Sequence, residues 1–159
     1  GGQMNVDTNP EHFLKFISII QRNTNRYFGI MLDDDHIGGG QQFFLTHIYE
    51  NEGITMYDLA QIGYFDKGTA TKAVQKLAEQ GFVNIRTDAE DKRVRHLYTT
   101  PAALPVIDNI YRTRESWRNL LFSNFSEQEA AAIRHALKTI AENSWHAINN
   151  ITQKKEGKD

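Results

Sequence analysis

Between Thr55 and Thr100 the hydrophobic period changes from helical to alternating and back to helical, and this restricts the fold more than any other feature of the chain. Thr55 opens a short helical pattern with Leu59, Ala60 and Ile62 facing inward. Asp58, three residues on, gives it a capping-box-like start, and Ile54 is placed to pack across that start. Gly63 is expected to close the helix in a left-handed backbone conformation. Asp66 caps a second helix over 66–80, whose apolar face is Ala70, Ala73, Val74 and Leu77 and whose stop is Gly81. Phe82, Val83 and Ile85 then lie in an extended stretch ending at Arg86-Thr87, Asp88 to Arg93 is polar and charged, and Val94 to Thr99 is extended again. That is the pattern of a β-hairpin with a tip of about six residues. A short helix, a tight turn, a second helix and a hairpin make a winged helix-turn-helix.

The flanks are helical. Asn9 can cap a first helix with Pro10 at its first position, and Phe13, Phe16, Ile17, Ile20, Tyr27 and Met31 recur at helical spacing. Asp33-Asp34-Asp35 and Gly38-Gly39-Gly40 form a loop, and Gln41 to Glu50 is a second amphipathic helix carrying Phe44, Leu45, Ile48 and Tyr49. Beyond Pro101, Leu104, Ile107, Ile110, Tyr111, Trp117, Leu120 and Leu121 give a long apolar stripe. Ser126-Glu127-Gln128-Glu129 is a capping box for a last helix. Its seam positions Ile133, Leu137, Ile140, Ser144, Ala147 or Ile148, and Ile151 are spaced like a heptad seam. Lys154 to Asp159 reads as a frayed tail. The expected fold is mainly α with a small β-hairpin wing, ordered helix 1 to helix 4, wing, helix 5 and helix 6. It is expected to form one domain over 1–159, with 41–100 as the winged helix-turn-helix part and 9–32 and 101–152 as dimerisation helices. Phe13, Phe16, Ile17, Phe122, Phe125, Ile133, Leu137, Trp145 and Ile148 exceed what a small winged helix can cover, so a homodimer is expected.

Gly1-Gly2-Gln3 ahead of Met4 reads as an expression scar. The start of the chain does not resemble a signal peptide, and its longest apolar run, Phe13 to Ile20, is broken by Lys15 and Ser18. No membrane association is expected, and a cytoplasmic protein is the plain reading. The absence of cysteine excludes disulfides, thiolate zinc sites and cysteine redox sensing. The net charge of −2 does not advertise a nucleic-acid binder, but its distribution is informative. Residues 1–65 hold 3 Lys/Arg against 8 Asp/Glu, whereas residues 66–96 hold 7 against 5. Positive charge gathers on the second helix and the hairpin, and the acidic remainder would help repel the protein from wrong sites on DNA.

In a helix-turn-helix the second helix lies in the major groove of duplex DNA. Helix 66–80 opposes its apolar side with Lys67, Thr69, Thr71, Lys72, Gln75 and Lys76. Lysines and hydroxyls reach phosphates, while Gln75 and the threonines can meet base edges. Gly68 near the helix start allows close approach to the DNA backbone. Taken alone this reads sooner as a solvated helix face than as a DNA-reading one. The wing alters the balance, because Lys92 and Arg93 occupy its tip with Arg95 just behind and Arg86 on the facing strand, placed for an adjacent minor groove. Asp88, Glu90 and Asp91 are out of place beside phosphates. Asp91 is expected to orient an arginine within the wing, and His96 to meet phosphate or water. The competing interpretation is a winged-helix module for protein–protein interaction without sequence-specific DNA binding.

The run D-K-G-T-A-T-K-A-V-Q-K-L-A-E-Q-G-F-V at Asp66 to Val83, followed by D-A-E-D-K-R at Asp88 to Arg93, resembles the core of the MarR family. About 46 residues carry the motif, and the helical flanks match in order and length. The resemblance implies a homodimeric transcriptional regulator, usually a repressor, on a palindromic operator, with the fourth helix in the major groove and a wing arginine in the minor groove. Here those positions are Lys67, Thr69, Thr71, Lys72, Gln75 and Arg93. Tyr64-Phe65 replaces a more usual small or aliphatic pair in the turn, and Pro101-Ala102-Ala103-Leu104 stands where the family often has Glu-Lys-Gly. The resemblance further implies release of DNA by a small aromatic, anionic effector. Arg22, Arg26, Tyr27, His47, Tyr64 and Tyr111 could supply the cationic and hydrogen-bonding groups such a ligand needs, although each also reads as an ordinary capped or solvated side chain. None of the six histidines forms an HxxxH pair, and no nucleophile–base pair or glycine-rich phosphate loop is present. No metal, cofactor or enzymatic activity is therefore expected.

Overall fold

The computed structural model describes residues 6–157. Gly1, Gly2, Gln3 and Met4 at one end, and Lys158 and Asp159 of the expected tail at the other, lie outside the described residues. The helices are α1 (His12–Met31), α2 (Gln41–Glu50), α3 (Met56–Ile62), α4 (Lys67–Glu79), α5 (Leu104–Leu121) and α6 (Glu127–Glu156), with strands β1 (Val83–Thr87) and β2 (Arg95–Thr99) between α4 and α5. The mainly helical winged architecture is as expected. Short 3₁₀ turns at Asp33–Asp35 and Pro101–Ala103 precede α2 and α5. The chain divides into two compact units at Trp117/Arg118.

The first unit holds the core. Phe44, Leu45 and Ile48 of α2, Leu59 of α3, Val74 and Leu77 of α4, Leu97 of β2, and Ile107 and Ile110 of α5 are all buried in one cluster. The apolar periods of these elements converge there, which is the main stabilising contribution in a domain of this size. Thr55 caps α3, its hydroxyl accepting from the Asp58 amide at 3.1 Å, and Asp66 caps α4, accepting from the Thr69 amide at 2.7 Å.

Between these caps the expected role of Gly63 is corrected. Gly63 has φ −88°, and the left-handed residue is its neighbour Tyr64, at φ 55°. The Phe65 amide reaches back to the Ala60 carbonyl at 2.9 Å, which turns the chain between α3 and α4. Glycine is needed at 63 for space, since a Cβ there would lie 2.4 Å from the Phe65 ring. That ring packs on Phe44, with centroids 4.3 Å apart. The turn therefore draws its shape from the core.

Other boundaries shift. α1 begins at His12 rather than beside Asn9, because Asn9 and Pro10 form a preceding turn in which the Asn9 side chain accepts from the Glu11 amide. Its Phe13, Phe16, Ile17 and Ile20 are exposed. The stripe expected on α5 faces two ways, with Ile107 and Ile110 buried while Leu104, Leu120 and Leu121 are exposed. In the second unit, Ser126 forms the expected capping box with Glu129. α6 then runs unbroken through Lys154 and Lys155 to Glu156, so those residues are helical rather than frayed. Leu137, Ile140, Ile148 and Ile151 of α6 are exposed. Among the described residues no helix is long and apolar enough to cross a membrane.

Candidate nucleic-acid interface

α4 keeps its inner face against the core through Ala70, Val74 and Leu77, which leaves Lys67, Thr69, Lys72, Gln75 and Lys76 exposed and Thr71 half-buried. The threonines are less free than the sequence suggests. The Thr69 hydroxyl donates to Asp66 at 2.9 Å, and the Thr71 hydroxyl donates to the Lys67 carbonyl at 2.8 Å. Both keep lone pairs for accepting, so they suit donors on a base edge better than acceptors. The hydrogen bonds from Thr69, amide first and hydroxyl second, hold the Asp66 carboxyl below its usual range, so this cap stays ionised at neutral pH.

The wing is an antiparallel pair in the register Val83↔Thr99 to Thr87↔Arg95, joined by residues 88–94. The loop is one residue longer than expected, because the Asp88 amide donates to the Val94 carbonyl at 2.8 Å and closes it there. Within the loop the Asp88 carboxylate accepts the amides of Glu90 and Asp91, at 3.0 Å each. Asp91 in turn accepts from Arg93 three times: from its amide, from Nε at 3.1 Å and from Nη2 at 3.1 Å. The expected orienting role of Asp91 is thus visible in the geometry. A two-pronged carboxylate grip fixes the plane of the guanidinium while its side chain stays 90% exposed. Lys92 is exposed beside it, and Arg95 is half-buried. Arg86 lies exposed across the hairpin with its guanidinium 4.8 Å above the Tyr98 ring, a cation–π contact that limits its motion.

How the wing is moored has no local signature in the chain. The outer edge of β2 pairs with the turn between α2 and α3: the Gly53 amide donates to the Leu97 carbonyl at 2.8 Å, and the Leu97 amide to the Ile54 carbonyl at 2.9 Å. Glu52 accepts from the amide and hydroxyl of Thr99. His96, expected to meet phosphate or water, is instead turned inward against Gly53 and Asp88.

The six residues suggested for an effector each have their own surroundings. Arg22 donates to Ser18 at 2.6 Å, and Arg26 is exposed. Tyr27 stacks on Trp117 with centroids 4.5 Å apart, His47 is half-buried, and Tyr64 is exposed in the α3–α4 turn. The Tyr111 hydroxyl donates to Glu50 at 2.5 Å, and burial, followed by this bond, pushes its pKa up to about 12. Beside Tyr111 lies a group that sequence reasoning missed. Arg114 donates through Nε to Gln42 at 3.0 Å and sits 4.9 Å from the Phe43 ring centroid. Gln42 is fully buried, and its Nε2 has no hydrogen-bond partner among the described residues. The separation of 72 positions between Gln42 and Arg114 explains why no local pattern announced the pair.

Comparison with known proteins gives a consistent result. A family model described as MarR family matches residues 40–94. A Bacillus subtilis (strain 168) protein named as the uncharacterized HTH-type transcriptional regulator YybA is 29% identical over 138 residues, covering 85% of this chain and 92% of that protein. The solved structure of a MarR protein from Peptoclostridium difficile DA00132 shares 30% identity, with a TM-score of 0.82 over 92% of this chain and 96% of the other. The S. aureus MepR–DNA complex has a TM-score of 0.76, covering 82% of this chain and 97% of that one, at 17% identity, a likeness of fold.

Proposed function

The chain belongs to the MarR family of transcriptional regulators, and on that premise we propose that it is a homodimeric repressor that binds a palindromic operator, with α4 in the major groove and residues 88–95 in the adjacent minor groove. The observation that carries this is the wing arginine. Arg93 is held by two prongs of Asp91 and yet exposed, on a hairpin that follows a helix whose outer face is Lys67, Lys72, Gln75 and Lys76. An arginine presented this way suits a narrow groove of high negative potential. Thr69, Thr71, Arg86, Lys92 and Arg95 complete the proposed contact set. The exposed apolar stripes of α1 and α6 support the second copy, because apolar surface in rows of this kind asks for cover. In this scheme 41–100 reads DNA while 9–32 and 101–152 join the protomers, and the protein acts in the cytoplasm beside the DNA it controls.

Selection of bound duplexes from a random pool tests this proposal. The expected result is a palindrome with half-sites about one helical turn apart, roughly 34 Å. Gln75→Ala should relax base preference at one position in each half-site, by about 1–3 kcal/mol of discrimination. A pool that enriches no sequence would overturn the proposal.

The same proposal includes release by a small aromatic anion. Arg114 Nε fixes the Gln42 oxygen toward itself, so Gln42 Nε2 is left as a buried donor wanting an acceptor, beside a guanidinium and the rings of Phe43 and Tyr111. A carboxylate on an aromatic ring supplies that acceptor and that stacking surface. Benzoate-type carboxylates should weaken DNA binding by the wild-type protein and leave the Gln42→Leu variant unaffected. Equal release of both proteins would remove Gln42 from the site.

A further inference from the structure

His96 stands on β2 with each ring nitrogen on a different structural element. Nδ1 donates to the Gly53 carbonyl of the α2–α3 turn at 3.0 Å, and Nε2 donates to Asp88 Oδ1 at the base of the wing loop at 2.9 Å. A carbonyl and a carboxylate are both acceptors. A neutral imidazole carries one N–H, so only the imidazolium makes both bonds. Asp88 is the first link of a chain. Its other oxygen accepts the amides of Glu90 and Asp91, and the Asp91 carboxylate grips Arg93. A continuous run of hydrogen bonds thus joins the α2–α3 turn to the guanidinium at the wing tip.

We propose that His96 is a proton-responsive positioning residue of the wing: as the imidazolium it ties the wing loop to the α2–α3 turn and keeps Arg93 in place, and on losing its proton it releases one of these ties, so that DNA affinity falls as pH rises. The DNA consequence rests on the wing-binding function proposed above, whereas the tie itself does not.

Other charged groups surround the ring. Arg86 is its partner directly across the ladder, with its guanidinium drawn onto Tyr98, and Arg95 is its neighbour on β2. Both disfavour a cation at 96. Glu52 and Asp58 flank Gly53 and the start of α3, and Glu90 and Asp91 lie in the wing loop, all favouring it. Glu52 is engaged with Thr99, and Asp91 with Arg93. The acid that touches the ring is Asp88. The bond to Gly53, then that to Asp88, hold the imidazole pKa above the ordinary 6.5. The Asp88 carboxyl is held below its usual value by the Asp91 amide first and His96 second.

The sign follows from these directions. The stabilisation from His96 is fully present below about pH 6.5 and is lost as pH rises through its elevated pKa. That from Asp88 is present above the ordinary carboxylate pKa of 3.8 and is lost as pH falls through its depressed value. The wing is held between these limits and loosens above the upper one.

The test has two arms. In the first, the titration of the His96 ring nitrogens and of the Glu90, Asp91 and Arg93 amides is followed by NMR without DNA. Wild-type protein should show both ring nitrogens protonated below about pH 6.5, with the ring titrating above that value and the three wing amides moving with it. Asp88→Asn should bring the ring titration back toward the ordinary histidine value. A ring that titrates at or below that value, or wing amides that ignore it, would overturn the proposal. In the second arm, binding to a labelled random-sequence duplex is measured at fixed ionic strength. Between about pH 6 and about pH 8.5, wild-type affinity should fall about two- to tenfold, as loss of one hydrogen bond implies. His96→Gln should be flat over the same range. Equal pH slopes in the two proteins would overturn the switch and leave the DNA-binding function standing. Failure of both proteins to bind duplex at any pH would count against that function, and the DNA-free arm would still decide the tie.

Discussion

Raising monovalent salt from about 50 mM to about 200 mM is expected to weaken binding of this protein to duplex DNA by about 10³- to 10⁵-fold, the loss that accompanies release of counterions from some six to ten neutralised phosphates. The proposed contact surface of one protomer offers Lys67, Lys72, Lys76, Arg86, Lys92, Arg93 and Arg95. Not all of these count fully, because Arg93 is partly neutralised by Asp91 and Arg86 rests on Tyr98. Three to five effective contacts per protomer, doubled in the proposed homodimer, reach the range that gives so steep a slope. The chain as a whole carries a net charge of −2, so a steep slope would have to come from this surface and not from a general excess of positive charge. A slope of less than tenfold over the same range would mean that phosphates are not what the surface holds. It would favour the competing interpretation of a winged helix that docks on another protein.

The parts of the fold legible in the sequence are those that local chemistry decides. Thr55, Asp66 and Ser126 cap helices because a side-chain oxygen two or three residues from an unpaired amide needs nothing else. The hairpin register follows from the alternation of Val83, Ile85 and Leu97. The candidate DNA face was legible for the same reason, since an amphipathic helix declares both of its sides. What local pattern could not decide was set by partners far along the chain. His96 sits on a strand in a charged wing, and only its pairing with the α2–α3 turn, 43 residues away, makes it an internal tie. Gln42 is a polar residue on an amphipathic helix until Arg114 arrives from α5 to bury it. Gly63 shows the limit best. A glycine after a helix is usually there for a positive φ, but here Tyr64 takes the positive φ and Gly63 supplies room for Phe65.

That arrangement makes Phe44 the side chain on which the geometry between α3 and α4 most depends. Phe44 is 2% exposed, belongs to α2, and carries the Phe65 ring at a centroid distance of 4.3 Å. Phe65 is the residue whose amide closes the turn onto the Ala60 carbonyl and whose ring fills the space above Gly63. Phe44→Ala removes the floor beneath that ring and should destabilise the protein by about 3–5 kcal/mol, the usual cost of truncating a buried phenylalanine. This is a large part of the roughly 5–15 kcal/mol that holds a domain folded. The loss should be measurable as a lower denaturation midpoint with an unchanged slope against urea. Gly63→Ala distinguishes a simple loss of core area from loss of the turn. It deletes nothing, but its Cβ would meet the Phe65 ring at 2.4 Å and push the ring off Phe44, at a cost of about 1–3 kcal/mol. If the turn is set by this stack, the two effects will not add in the double variant, because residues sharing one packing contact are coupled. Full additivity would show instead that Gly63 and Phe44 act separately, and that the angle between α3 and α4 is fixed by the caps at Thr55 and Asp66 alone.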